Sequence, residues 1–270
     1  MKVSIISPVY NAANTIGRFL TSLASQTHKD IEIVLVDDHG NDDSMERARQ
    51  FVRSEGLETR VVYVDGGCNQ GPGEARNLGI AHATGDYIAF VDSDDWIEPD
   101  FLQRLVTTAG DNDADLVCGS IVFNLSNGFC YLRHNPATTE TAFEGRAKRR
   151  FLMHYTSYFT TFLYRRELLL KYHILFPPTR SAEDSCFLGC SLLAARRIAR
   201  DDKAIYHYVV SSASVSQRRD HDRASQRLAS WKTFRAFARV NHLYVPYRIP
   251  ILWISFKKGY LLAARDILKK

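Results

Sequence analysis

Apolar runs and amphipathic stretches alternate along the first hundred residues of the chain. Val3–Val9 is an apolar run that stops at Tyr10-Asn11. Asn14 can cap a helix in which Ile16, Phe19, Leu20 and Leu23 follow a period of 3.6. Residues 31–36 form a largely β-branched run, the pattern of a parallel strand buried on both faces. Asp42-Asp43 open a second helix to about residue 53, and residues 60–64 make a third strand. Pro72 suits a first helical turn, residues 74–83 continue that helix, and Gly85-Asp86 turns the chain into a fourth strand at 87–91. This βαβαβαβ rhythm predicts a doubly wound, mainly parallel sheet with helices on both faces. Further on, the pattern gives helices at 99–109, 165–171 and 181–195, and strands at 115–123, 160–164 and 204–210. Residues 124–145 read as a surface excursion, and 220–240 as a basic helix.

Composition adds little until it is divided. The chain has 270 residues, 45% apolar and 24% charged, ordinary values for a globular protein. Its five cysteines are odd in number and lack a CxxC pair, which favours a reducing compartment and argues against structural zinc. The first apolar run is too short for a signal peptide, and no run of 18 apolar residues exists to span a bilayer. A cytoplasmic protein is expected. The net charge of +5 hides an asymmetry, because residues 203–270 hold 14 Lys and Arg against 3 Asp and Glu. Such a tail seeks an anionic surface.

The chemistry sits where doubly wound sheets bind ligands, beyond the carboxyl ends of the strands. Asp92-Ser93-Asp94-Asp95-Trp96 follows the fourth strand, and alternate carboxylates there can hold one hard cation against phosphate oxygens. The plainer alternative is a polar turn capping a helix. Asp37-Asp38 ends the second strand, where a carboxylate can accept a hydrogen bond from a base or a ribose, or can simply form an Asx turn. Gly71-Pro72-Gly73 opens a helix whose N–H groups, with Arg76, suit a diphosphate; alternatively Arg76 bridges to a neighbouring carboxylate. Glu183-Asp184 can supply a general base, or only favourable charge at a helix start. His207 is a possible additional metal ligand or a packed histidine.

Taken together, these segments resemble the family 2 glycosyltransferases of the GT-A fold. The resemblance rests on Ser4-Ile5-Ile6-Ser7-Pro8-Val9-Tyr10-Asn11-Ala12, Ser25-Gln26-Thr27, Val36-Asp37-Asp38, Ala75-Arg76-Asn77-Leu78-Gly79, the stretch from Gly85 to Trp96, and Glu183-Asp184. It is dense over residues 1–110 and thinner to 216. The resemblance implies a nucleotide-diphosphate sugar donor, with UDP-hexose or UDP-N-acetylhexosamine expected, and an inverting single displacement. Asp38 would bind the base, with Pro8 and Tyr10 lining its pocket. Asp92 and Ser93 would face the nucleotide, Asp94 would hold Mn2+ or Mg2+, and Trp96 would face the acceptor. Asp184 would be the base, with Glu183 beside it. The turn His39-Gly40-Asn41 departs from the small residues usual in the family.

Two units are expected: a catalytic GT-A domain over 1–216, its acceptor side at about 111–216, and a basic helical extension over 217–270. Residues 243–263 are apolar and aromatic with flanking cations, and Pro246 and Pro250 should break any long helix. The composition favours an anionic membrane surface, with packing on the core or on a second subunit as the alternative. Nucleic acid is not expected, because the apolar residues form a block instead of interleaving with the cations. A surface glycan or lipid-linked glycan is the expected acceptor. A sugar nucleotidyltransferase and a catalytically silent partner subunit are the rival readings.

Overall fold

The computed structural model describes residues 1–135, 142–156, 158–210 and 222–268. Its strands are β1 (Val3–Val9), β2 (Ile31–Asp37), β3 (Val61–Asp65), β4 (Tyr87–Phe90), β5 (Trp96–Ile97), β6 (Leu116–Asn124), β7 (Cys130–Arg133), β8 (Ala142–Phe143), β9 (Phe162–Arg165) and β10 (Ile198–Val209). The helices are α1 (Ile16–Ala24), α2 (Ser44–Ser54), α3 (Pro72–His82), α4 (Phe101–Asn112), α5 (Gly145–His154), α6 (Arg166–Lys171), α7 (Glu183–Ala194), α8 (Arg223–Val240), α9 (Arg248–Ile254) and α10 (Leu261–Leu268).

All the strands join one sheet, ordered β3-β2-β1-β4-β9-β6-β10-β5, with β7 on β6 and β8 on β10. The first four strands are parallel, with Val3 opposite both Ile31 and Tyr87. β9 then runs antiparallel to both β4 and β6, while β10 returns parallel to β6. The strand order reverses between β1 and β4. At that switch point the carboxyl ends of the two strands, Tyr10 and Asp92, open a cleft.

Alternation along β1 sends Ile6 to one core and Val3, Ile5 and Val9 to the other. α1 and α4 seal the second core through Phe19, Leu20, Leu23, Phe101 and Leu105. α3, α5, α7 and α8 seal the first through Ile80, Leu152, Phe187, Leu193 and Trp231. Each large side chain fully buried in this way contributes about 1.5–3 kcal/mol, offset by its lost freedom. Gly79 lets α3 lie flat on β1, since a Cβ there would stand 2.3 Å from Ile6 Cγ2.

Several departures from the sequence pattern have physical causes. Thr15, not Asn14, occupies the cap of α1, because the chain turns back on Ala12 first. The excursion at 124–145 contains β7, hairpinned onto β6. β10 begins six residues before the predicted strand and carries an irregularity between Arg200 and Ile205. The part of the basic helix before residue 222 lies outside the described residues. Pro250 does not break the C-terminal helix. It sits in the first turn of α9, where backbone N–H groups have no intrahelical partner and a proline removes nothing. From Arg248 the chain runs helically to Leu268 through one π turn at Ser255–Tyr260.

The C-terminal extension both packs on the core and keeps an apolar outer face. Ile251, Ile254, Trp231 and Phe234 join the first core, alongside residues of β1 and α7. Ile249, Leu252, Trp253, Phe256 and Tyr260 follow a helical stripe on the outside and are exposed. Among the described residues no helix is long and apolar enough to cross a membrane.

Candidate active site

The cleft is built by three chain reversals at the carboxyl edge of the sheet. The first leaves β2 for α2 and rests against the residues that lead into α3. Asp38 is buried, and its Oδ1 accepts the backbone N–H groups of Gln70 at 3.0 Å and Gly71 at 3.3 Å. Burial raises its pKa; the two amides and the Arg180 guanidinium pull the other way without cancelling the rise. The departure at His39-Gly40-Asn41 has a structural reading. Gly40 approaches Asn11 so closely that a Cβ would stand 2.6 Å from the Asn11 nitrogen, and Asn11 Oδ1 accepts the Asn41 N–H at 2.7 Å. The loop after β1 thus rests on the loop after β2. Pro8 is buried there and Tyr10 is exposed at the mouth.

The second reversal carries Asp92-Ser93-Asp94-Asp95. Asp92 Oδ1 accepts Arg76 Nη2 at 2.6 Å, so the bridging alternative for Arg76 is the one observed. Arg76 is only 6% exposed, with its guanidinium 4.7 Å from the Phe159 ring centroid and 5.4 Å from that of Phe176. Asp95 is fully buried and anchors the turn: it accepts the Tyr206 hydroxyl at 2.6 Å and the Val209 N–H at 2.8 Å. The Asp92 N–H in turn donates to Tyr206 Oη at 3.2 Å. Ser93 is buried between the outer carboxylates. Asp94 is pushed up to about 6, first by burial and then by Asp92, against the pull of Arg76 and Arg18.

Such a turn fits a hard cation. Burial and the neighbouring Asp92 charge raise the pKa of Asp94, burial and both of those carboxylates raise that of Asp95, and a divalent ion would offset that repulsion. The described residues gather no group of three or more His, Cys, Asp or Glu side chains that could cage an ion alone. An ion held by Asp94 would therefore share its coordination with phosphate oxygens of a ligand. His207 stands apart from this chemistry in the described fold. Its Nε2 hydrogen-bonds Glu98 at 2.9 Å, its Nδ1 faces the Asn124 amide at 3.3 Å, and its ring stacks on Trp96 at 3.4 Å. That is the setting of a packed histidine that fixes the Trp96 indole. Trp96 and Arg18 line a hollow of about 500 Å³ with Asn124, Leu125 and Val210.

The third reversal brings the start of α7 to the start of α3. Asn77 clamps the incoming chain, donating to Phe176 O at 3.0 Å and accepting the Phe176 N–H at 2.8 Å. Ala182 takes a left-handed φ of 62°. Glu183 then packs over Gly73, where a Cβ would lie 3.5 Å from Glu183 Cγ. Burial and the adjacent Asp184 push Glu183 up to about 7. Asp184 Oδ1 accepts the N–H of Ser185 at 2.6 Å. Arg76 lies within the field of Asp92, Glu183 and Asp184, so one buried cation serves three carboxylates.

Some contributors escaped the sequence reading. Arg180 brings its Nε within 3.7 Å of a Cβ placed on Gly71 and influences Asp38. Arg18 donates to the Asp94 carbonyl at 2.6 Å from the first turn of α1. Lys148, buried on α5, donates to Leu193 O at 3.0 Å and to Ala195 O, capping the far end of α7. Neither arginine carries a local signal, since each is delivered by tertiary packing.

A doubly wound half-sheet continued by mixed strands, with an Asp-Ser-Asp turn at the switch point, defines the GT-A class of glycosyltransferases. The model of the family described as glycosyl transferase family 2 matches residues 4–172. The chain belongs to that family. It is 32% identical over 259 residues to EpsH of Bacillus subtilis, a protein named as a glycosyltransferase, covering 91% of this chain and 72% of that one. It is 31% identical over 229 residues to the poly(ribitol-phosphate) beta-N-acetylglucosaminyltransferase TarS of Staphylococcus aureus, covering 80% of this chain and 38% of TarS. The chain spans 63% of a further relative, EpsJ of Bacillus subtilis. The crystal structure of TarS residues 1–349 with UDP-GlcNAc superposes with a TM-score of 0.73 and 27% identity over 97% of this chain and 76% of that one. A Pyrobaculum calidifontis mannosyltransferase shares the fold, with a TM-score of 0.62 at 18% identity over 99% of this chain and 79% of that one.

Proposed function

We propose that the chain transfers a hexosyl or N-acetylhexosaminyl group from a UDP-sugar to a hydroxyl of a surface glycan, by single displacement with inversion. The observation that carries this reading is the convergence of Asp38, the Arg76–Asp92 pair and Glu183-Asp184 on one cleft. The match to TarS, whose structure was solved with UDP-GlcNAc, supports the donor class.

In this reading Asp38 accepts a hydrogen bond from the base, between Pro8 and Tyr10. Arg76 holds Asp92 toward the ribose from below and does not itself reach the diphosphate. Mn2+ or Mg2+ on Asp94, when bound, neutralises charge developing on the leaving diphosphate. The acceptor lies along the Arg18–Trp96 hollow and offers its hydroxyl to Asp184. Asp184 takes the proton as the oxygen attacks, and Glu183 beside it keeps that side of the cleft anionic. A screen of UDP-, GDP- and dTDP-sugars for metal-dependent hydrolysis tests the donor class, with UDP-sugars expected to respond. Response only to GDP- or dTDP-sugars would refute it.

The same proposal includes docking of α9 and the π turn on an anionic membrane. The exposed Ile249, Leu252, Trp253, Phe256 and Tyr260 flank Lys257, an apolar stripe with a cation beside it. Deleting the segment would strip the core, so a double variant W253S/F256S is the better probe. It should leave the melting temperature nearly unchanged and abolish flotation with phosphatidylglycerol vesicles. Wild-type protein that ignores such vesicles would end this part of the reading.

A further inference from the structure

The helix that carries the candidate base starts without a cap of its own. Ala182 stands at the N-cap of α7 with a left-handed φ of 62°, and its methyl group can accept no backbone N–H. The Ser181 hydroxyl, one residue earlier, is buried and finds no hydrogen-bond partner among the described residues. Such a start persists only where the surrounding structure over-determines it. Asp184 sits in its first turn, where the Cys186 N–H closes on Ala182 O at 2.9 Å and the Ser185 N–H on Asp184 Oδ1 at 2.6 Å.

What holds this start comes from α8. Gln226 and Ser230 stand four residues apart and so share one face of that helix. Gln226 Oε1 accepts the Arg180 N–H at 2.8 Å, and Ser230 Oγ donates to Ser181 O at 2.9 Å. A hydroxyl has one proton to give, so the 2.6 Å bond between the Thr179 and Ser230 hydroxyls is donated by Thr179. Two side chains of α8 thus grip residues 179–181, the last three before Ala182. Ser230 is fully buried, and an alanine would fill its place equally well, so the hydroxyl is explained by what it holds. The residues next to this pair in sequence face the C-terminal helices: Arg227 Nε lies 3.1 Å from Asp266 Oδ2, and Trp231 packs against Gly259. α8 is therefore wedged between the C-terminal helices and the approach to α7.

We infer that Ser230 and Gln226 are positioning residues for Asp184: by fixing residues 179–181 they set where α7 begins, so that the C-terminal extension completes the active site. The inference rests on the reading of Asp184 as the base. In that reading α8 substitutes for the missing cap, and releasing its grip loosens the first turn of α7 while the rest of that helix stays in the core.

The test follows amide hydrogen exchange by NMR in the full chain. In S230A the Ser185 and Cys186 amides should exchange about tenfold faster, while those of Leu192 and Leu193 at the far end of the same helix keep the wild-type rate. Metal-dependent hydrolysis of UDP-N-acetylglucosamine should lose about tenfold in kcat with KM unchanged, as expected when an interaction acts on chemistry and not on donor binding. If S230A fails to fold, Q226L, which removes only the bond to Arg180, is measured in its place. Ser185 and Cys186 exchange within about twofold of wild type overturns the inference, whatever happens to turnover. Equal acceleration along the whole of α7 overturns it too, because that is general loosening and not release of one turn. Undiminished hydrolysis by D184N would instead overturn the base reading, so the two failures are separable.

Discussion

Glu183 should make the protein less stable at neutral pH than it would be with a glutamine there. The carboxyl lies over Gly73, and burial first and Asp184 second push its pKa from the ordinary 4.5 to about 7. A carboxyl raised in the fold binds a proton that the unfolded chain releases. Stability is then full below pH 4.5, falls as pH climbs toward 7, and is flat beyond that. At about 1.36 kcal/mol per unit, this shift has a ceiling of about 3 kcal/mol. Proton sharing with Asp184 and relaxation of the site lower the expected penalty to about 1–3 kcal/mol. Glu183→Gln keeps the shape and removes the titration. Urea unfolding of both proteins across this pH range should find the variant more stable near pH 8 by that amount, with the two converging near pH 4.5. A difference that stays constant with pH would refute the argument, because packing changes do not titrate.

Two further predictions follow from the buried charges. Arg76→Met should destabilise by about 3–5 kcal/mol, since it leaves Asp92 and Glu183 uncompensated, and adding Asp92→Asn should recover part of that loss in denaturant titrations without restoring turnover. Glu32 behaves in the opposite sense to Glu183. Burial alone would raise it, but bonds from Lys2, Ser4 and Thr84 hold it down at about 2. Its contribution is therefore present above the unfolded value of 4.5 and lost as pH falls toward 2. Glu32→Gln should lower neutral stability by about 1–2 kcal/mol, with the deficit vanishing in acid.

The half of the fold that carries the donor site was legible because its strands are buried on both faces and its helices are amphipathic. β1, β2, β4 and α3 came out with nearly correct limits, and with them the positions of Asp38, Asp92 and Asp94. The rest fails for definable reasons. β5 has two residues and no period to detect, and its place beside β10 depends on pairing across a hundred residues. α5 is dominated by basic residues, so Phe151 and Leu152 give only a faint apolar face. Lys148 and Lys258 look like surface lysines by type, yet the fold turns both inward. Pro250 misleads because its effect depends on position within the helix and not on its presence.

The central claim is inverting transfer with Asp184 as base, and a single measurement reaches it without knowledge of the acceptor. UDP-N-acetylglucosamine, an α-linked donor, is incubated with the protein and Mn2+, and proton NMR follows the first sugar released before it mutarotates. If Asp184 deprotonates a water that attacks the anomeric carbon from the face opposite UDP, the first product is the β-anomer and D184N yields none. Initial release of the α-anomer, or β-release that persists unchanged in D184N, would contradict the account.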